Sequence, residues 1–249
     1  MLKYFYIQTI RVPAYGLFVV MGIALCCCIA LGVAKKRQHQ TSLVILFGTV
    51  GGVGAIVGAK LLTLIIMSMR EGEILLSWNE FIEAGYSYYG GLFGFFISIY
   101  VFVKYKKIEY EEYATSYIFL LPLLHCFWKI SCFMGGCCFG IPYTGIGSVI
   151  FPEGINALSG ISVFPVQLLE SAIALLIAVI IIVLETKNKL YWPVSVYLVM
   201  YGTTRFAIEF LRYHDAGTKI ASGHVCSIVS ILIGLIAILI KKKQVEINK

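Results

Sequence analysis

The 249 residues are 59% hydrophobic and 13% charged, with a formal net charge of +7, against about 45–50% apolar and 25% charged in an ordinary soluble domain. Apolar runs of about 20 residues recur from end to end and leave no polar stretch long enough for a separate domain, so residues 1–249 read as a single transmembrane domain. The cations stand in short clusters between those runs, as orientation signals do, which excludes a nucleic-acid partner; the eight cysteines, in a chain this apolar, make no secreted disulfide framework.

The predicted fold is all-α, with seven membrane-spanning helices. The first, 12–34, is 23 uncharged residues followed by Lys35-Lys36-Arg37. It is too long for the apolar region of a signal peptide and reads as a retained helix. The second, 43–69, carries Gly48, Gly51, Gly52, Gly54 and Gly58, a small-residue pattern that allows close helix contact. The third and fourth cover 84–103 and 113–136. The loop 137–160, with Pro142, Gly145, Gly147, Pro152 and Gly154, reads as an irregular cap. Helices over 161–184, 191–211 and 220–240 complete the set.

An odd count puts the termini on opposite sides. The connecting segments 35–42, 104–112, 185–190 and 241–249 hold twelve basic residues, and the alternate set (1–11, 70–83, 137–160, 212–219) holds five: Lys3, Arg11, Arg70, Arg212 and Lys219. The positive-inside rule then places the N-terminus outside and the C-terminus in the cytoplasm.

A charge at the centre of a membrane helix costs about 2.5–3.5 kcal/mol on insertion scales and usually faces a bundle interior or cavity. Lys60, Lys129, Glu170, Arg205 and Glu209 all fall in the outer half of their predicted helices, and Tyr15, Tyr89 and His224 sit near the outer ends of theirs. Snorkelling from unrelated faces accounts for any one of these charges but poorly for five at one depth. Tyr201, Arg205 and Glu209, at i, i+4 and i+8, form one stripe with Arg212 a turn beyond. Three cations against two carboxylates favour an anionic ligand, and at this depth the abundant anion is a phospholipid headgroup.

These same segments resemble the prolipoprotein diacylglyceryl transferases of bacterial inner membranes. Tyr15-Gly16-Leu17 and Gly58-Ala59-Lys60 are similar to motifs of the family's first two helices. Tyr89-Gly90-Gly91-Leu92-Phe93-Gly94 resembles its His-Gly-Gly-Leu-x-Gly segment, with tyrosine at the histidine position. Trp128 to Cys137 is similar to the signature Gly-Arg-x-Gly-Asn-Phe-x-Asn-x-Glu, with Lys129 at the arginine position, Cys132 and Gly135 at the asparagines, and Cys137 at the glutamate. Gly136-Cys137-Cys138-Phe139-Gly140 looks like a divergent Gly-Cys-Cys-Tyr-Gly branch. Phe164 to Glu170 resembles His-Pro-x-Gln-Leu-Tyr-Glu, and Tyr201 to Arg212 matches the sixth-helix pattern at tyrosine, arginine, glutamate and second arginine.

The resemblance implies a multi-pass inner-membrane enzyme, here expected as a monomer. It would move the diacylglyceryl group of phosphatidylglycerol to the lipobox cysteine in the signal-peptide region of a preprolipoprotein, releasing glycerol 1-phosphate, with surrounding membrane lipids as its other partners and no cofactor. On that reading His125, Tyr89, Arg205 and Glu209 serve catalysis, and Tyr15, Lys60, Gly90, Gly91, Lys129, Gln167, Glu170, Tyr201 and Arg212 bind substrate. His125, one turn before Lys129, stands either as a replacement base or as a satisfied interior histidine. No metal site is expected, because beside Cys132, Cys137 and Cys138 only His125 lies near in sequence as a fourth ligand. His214 has no evident partner. A paralogue with another acceptor, and a non-catalytic phospholipid-binding or transport protein, are the alternatives.

Overall fold

The computed structural model describes residues 4–7, 10–71, 85–108, 110–152, 158, 160–187, 189, 191–214 and 222–247. Lys3, Lys219, Lys249 and the greater part of the predicted 70–83 loop lie outside them, as do 153–157 and the start of the predicted seventh helix. The described chain is mostly helical. Its helices are α1 (Ala14–Arg37), α2 (Thr41–Glu71), α3 (Tyr88–Lys106), α4 (Tyr110–Tyr117), α5 (Leu120–Gly135), α6 (Val166–Thr186), α7 (Pro193–Glu209) and α8 (Ser222–Ile247). Five stretches are long and apolar enough to cross a bilayer: Ala14–Arg37, Thr41–Met69, Tyr110–Gly135, Val166–Thr186 and Ser222–Lys243. Two predicted spans, now α3 and α7, do not qualify on length and apolar content alone. The first is diluted by tyrosine and glycine, and the second is 17 residues long with Arg205 and Glu209 in its last turns.

The fold is not purely helical. Strands β1 (Tyr4–Ile7) and β2 (Ile10–Pro13) pair antiparallel with Ile7 opposite Ile10, and β3 (Val149–Ile150) pairs with β4 (Ser162–Val163). Each correction has a local cause. Pro165 restricts Phe164 to extended backbone, so the predicted 161–184 helix begins at Val166 and its first residues become β4. Pro122 has no N–H to give the carbonyl of Ile118, and the predicted 113–136 helix is interrupted between α4 and α5. The 191–211 helix stops at Glu209, so Arg212 stands beyond its end, bridged to Gly140.

The chain divides into two compact units, residues 1–30 with 111–249, and residues 31–110. In the second, α2 and α3 pack backbone to backbone. A Cβ on Gly58 would strike the Gly90 carbonyl and meet Gly94 Cα at 2.8 Å, and Gly94 is equally close to Gly54, whereas Gly48 and Gly52 have nothing within 4 Å. Only part of the glycine pattern is therefore contact. Gly58→Val is expected to lower stability by about 1–3 kcal/mol through overpacking, while Gly52→Ala is silent, as thermal unfolding in detergent would show.

In the first unit, the α5 and α6 helices are locked by Cys126 and Ser171, whose side chains lie 3.1 Å apart while the serine hydroxyl donates to the Cys126 carbonyl at 3.1 Å. Residues 139–141 thread between the entry to α6 and the exit of α7. Gly140 N–H donates to Phe164 O at 3.1 Å, Ile141 N–H to Leu211 O at 3.1 Å, and Tyr213 N–H to Phe139 O at 3.1 Å. Position 140 must be glycine there, since a Cβ would lie 2.5 Å from Phe164 O and 2.9 Å from Leu211 O. Above this seam Phe151 and Val163 form a small core with Phe133, Phe139 and Leu158. At the other end of the unit Lys241 pairs with Glu111.

Candidate functional site

Where α5, α6 and α7 meet, side chains of opposite charge alternate. Lys129 of α5 pairs with Glu170 Oε2, and Arg205 of α7 donates from Nη1 to Glu170 Oε1 at 3.2 Å. The other arm of Arg205, Nη2, pairs with Glu209 Oε2, which also lies 3.8 Å from Arg212 Nη1. Glu170 thus joins three helices, one cation on either side. Lys129, Glu170, Arg205 and Glu209 are all at least nine-tenths buried. Burial of this kind is tolerated only because each charge has a partner; removing one partner of a buried pair leaves an uncompensated charge. Lys129, Arg205 and Arg212 outnumber Glu170 and Glu209, so the network keeps one net positive charge with its histidines neutral.

Local sequence sets each member in place. The stripe of Tyr201, Arg205 and Glu209 follows from helical spacing, and it faces inward with all three buried. Gly223 at the start of α8 makes room for the Glu209 carboxylate, which a Cβ there would strike. His125 packs edge-on against the Tyr201 ring at 5.3 Å and brings Nε2 to 3.8 Å from Glu170 Oε2. Gln167 donates to the Cys137 carbonyl at 2.7 Å. Its Oε1 and the Nε of Arg212 are buried without a hydrogen-bond partner among the described residues. Tyr15 lies over Gly135 at the end of α5, where a Cβ would be 3.2 Å from its ring.

The expected site residues therefore fall into two groups. Tyr15, His125, Lys129, Gln167, Glu170, Tyr201, Arg205, Glu209 and Arg212 belong to the first unit. Lys60, Tyr89, Gly90 and Gly91 belong to the second. There Lys60 is buried with Nζ 4.4 Å over the Tyr86 ring, Tyr89 stacks on Phe93, and Ser87 caps α3 by accepting from Gly90 N–H at 3.4 Å. Gly90 meets α2 too closely for any side chain, while Gly91 has more room, its nearest atom being Ala55 O at 3.4 Å.

Two features were not anticipated. His214 does have a partner, with Nε2 3.5 Å from Glu209 Oε1; it follows a helix end that periodicity overran. The Sγ atoms of Cys132, Cys137 and Cys138 lie within 4.8 Å of one another. Gly136 at φ 68° and Cys138 at φ 57° fold the chain back over the end of α5 to bring them together. The Cys137 thiol donates to the Cys132 carbonyl at 3.6 Å, and the two neighbouring thiols together with the charges of Lys129 and Arg212 hold the Cys138 thiol below the usual cysteine range.

Five helical stretches of membrane-crossing length, together with a buried cluster of ion-paired charges, define a polytopic membrane protein with a buried polar site. Residues 3–240 match the family model of prolipoprotein diacylglyceryl transferase, and the chain belongs to that family of transferases. It is 28% identical over 232 residues to the phosphatidylglycerol–prolipoprotein diacylglyceryl transferase of Clostridium tetani, covering 91% of this chain and 92% of that one. It is 27% identical to the enzyme of the same name from Campylobacter lari, over 93% of this chain and 90% of the other. A Clostridium perfringens protein whose name adds the number 2 is 24% identical, over 84% and 82%.

Proposed function

We propose that the chain transfers the diacylglyceryl group of phosphatidylglycerol to the lipobox cysteine of a preprolipoprotein, at the outer leaflet of a bacterial inner membrane. The observation that carries the reading is the Lys129–Glu170–Arg205–Glu209–Arg212 network, whose surplus positive charge and buried unpartnered Arg212 Nε suit a phosphate. Arg205, its rotamer fixed by two carboxylates, and Lys129 hold the phosphate and stabilise the charge that builds as glycerol phosphate departs. Glu170 and Glu209 orient those cations. Tyr15, Gln167 and Tyr201 take the headgroup or ester oxygens, with Lys60, Tyr89, Gly90 and Gly91 as phospholipid contacts of the second unit.

The chain would act as a monomer and a single membrane domain, crossing seven times with its N-terminus outside. The Lys241–Glu111 pair favours this arrangement, because Glu111 and Lys241, both in segments expected to face the cytoplasm, meet at one end of the first unit while Arg212 and Gly140 meet at the other. Reporter fusions after Lys107 and Lys189 are expected to read cytoplasm, and one near Gly154 exterior. Reversed signals at two of these sites would remove the outer-leaflet assignment.

The acceptor thiol must lose a proton. A free phenol, with its pKa of about 10, is a poor base at neutral pH, and imidazole is the better suited of the two for this task. His125, within reach of Glu170, is the proposed base, and His125→Ala is expected to lose more rate than Tyr89→Phe. The opposite order would give the phenol the catalytic or positioning role. The function itself is tested by replacement: a bacterium depleted of its own enzyme of this family should process prolipoproteins when supplied with this chain. Unmodified prolipoprotein accumulating despite correct membrane insertion would favour a second reading, transfer to another acceptor, for which Tyr89 and Cys137 at the family's histidine and glutamate positions are the motive.

A further inference from the structure

We infer that Cys132, Cys137 and Cys138 form a zinc site whose fourth tetrahedral position takes the acceptor thiol; this rests on the reading of the chain as a thiol-alkylating transferase. Sequence spacing alone argues against a metal here, because three cysteines with no obvious fourth ligand do not make a structural zinc site. A site that activates a bound substrate needs only three protein ligands and keeps the fourth position for chemistry.

The geometry meets that requirement. Three zinc-bound sulfurs at about 2.3 Å from the metal stand about 3.8 Å apart in a tetrahedron, so Sγ atoms already within 4.8 Å of one another need only side-chain adjustment. The backbone that gathers them is fixed by several independent bonds: Gly136 N–H to Phe133 O at 3.3 Å, Cys137 N–H to Cys132 O at 3.0 Å, and Gln167 Nε2 to Cys137 O at 2.7 Å. Mutual proximity of all three also distinguishes the cluster from a disulfide pair, which would use two and leave one over. Cys132 is buried at the base, while Cys137 and Cys138 are half-buried, so a ligand can approach from their side. Zinc with three thiolates carries one net negative charge, and Lys129, one helical turn before Cys132 on α5 and on the same face, stands to offset it. Among the described residues no carboxylate or histidine belongs to the cluster, and an all-sulfur donor set selects a soft or borderline d10 ion over magnesium or calcium.

The chemistry answers a need that the tyrosine at position 89 creates. On coordination the acceptor thiol releases its proton to exterior water and becomes a metal-bound thiolate. Its sulfur electron pair then forms the C–S bond to the terminal glyceryl carbon of the phospholipid. The C–O bond to phosphorus-bound oxygen breaks, and the electron pair leaves with glycerol phosphate. The thioether product is neutral, a weaker ligand than thiolate, and departs. Thiolate is delivered in this way whether or not His125 assists.

The test uses the full-length protein, purified in detergent under reducing conditions, stripped of metal and titrated with Co(II) and Zn(II). One Co(II) per chain is expected, with the visible spectrum of a tetrahedral thiolate site and charge-transfer intensity corresponding to three thiolates; zinc displaces it. Cys132→Ser, Cys137→Ser and Cys138→Ser should each weaken binding about 100-fold or more, ligands mattering at least as much as their outer-shell supports. A cysteine-containing lipobox peptide should shift the cobalt spectrum to that of four sulfurs, and its serine counterpart should not. Should the variants fail to fold, the wild-type charge-transfer intensity decides, and fewer than three thiolates overturns the site. Failure to retain metal, a disulfide among these cysteines in protein freshly isolated from membranes, or a spectrum indifferent to the thiol peptide each overturns it as well. Full-rate transfer by metal-free protein would leave the proposed function standing and this inference wrong. A spectrum that responds to the peptide without any transfer from phosphatidylglycerol would do the reverse.

Discussion

Arg205→Lys is expected to lower diacylglyceryl transfer about 100-fold or more, the usual cost of losing one preorganised charge donor to a developing anion. The guanidinium spans two carboxylates, giving Nη1 to Glu170 and Nη2 to Glu209, and so is held in one orientation. An ammonium keeps the charge but cannot bridge both carboxylates and a phosphate from one planar fork. The same exchange at Arg37, at the exposed end of α1, should leave the rate unchanged. Rates measured on membranes with matched protein levels make the comparison, and equal tolerance at both positions would return Arg205 to a packing or snorkelling role.

The second large effect is expected at Glu170, where the consequence is for the fold as well as the chemistry. Its carboxylate compensates Lys129 and Arg205 on different helices and lies 3.8 Å from His125. Glu170→Gln keeps the shape and one hydrogen-bond acceptor but leaves two buried cations short of a counter-charge. Breaking a buried pair in this way costs about 3–5 kcal/mol. A marked fall in the melting temperature of the detergent-solubilised protein should accompany loss of activity, and Glu170→Asp should recover part of the stability. A Glu170→Gln protein as stable as the wild type would mean that the α5–α6–α7 contact does not depend on the charge network.

Much of this arrangement was legible before any coordinates, and the reasons differ by element. Long apolar runs gave the helices because membrane helices need little beyond length and hydropathy. Helical spacing gave the Tyr201–Arg205–Glu209 stripe because it is local. Helix ends were overrun where an apolar count ignores backbone chemistry: Pro122 and Pro165 are visible in the sequence, and each marks a real interruption. The β1–β2 pair also has a sequence signal, since Tyr4-Phe5-Tyr6-Ile7 is rich in strand-forming residues, but a long apolar run beside it carries the stronger helical pattern. What sequence could not supply is the pairing across helices. Glu170 stands out in the sequence as a carboxylate within an apolar run, yet its place between Lys129 and Arg205 depends on how three helices meet. The thiol cluster depends on two left-handed backbone positions, of which only Gly136 is a residue that advertises one.

The central claim, that the buried cationic network directs alkyl transfer from an anionic phospholipid to a thiol, is tested most directly by mass balance in a reconstituted system. Purified protein in vesicles of phosphatidylglycerol is given a lipobox peptide, and both the peptide's diacylglyceryl adduct and free glycerol phosphate are measured. The account predicts one adduct per glycerol phosphate released, none with the peptide's cysteine replaced by serine, and about a 100-fold slower rate for Arg205→Lys. Glycerol phosphate release without a thioether adduct, or adduct formation undiminished by Arg205→Lys, would contradict it.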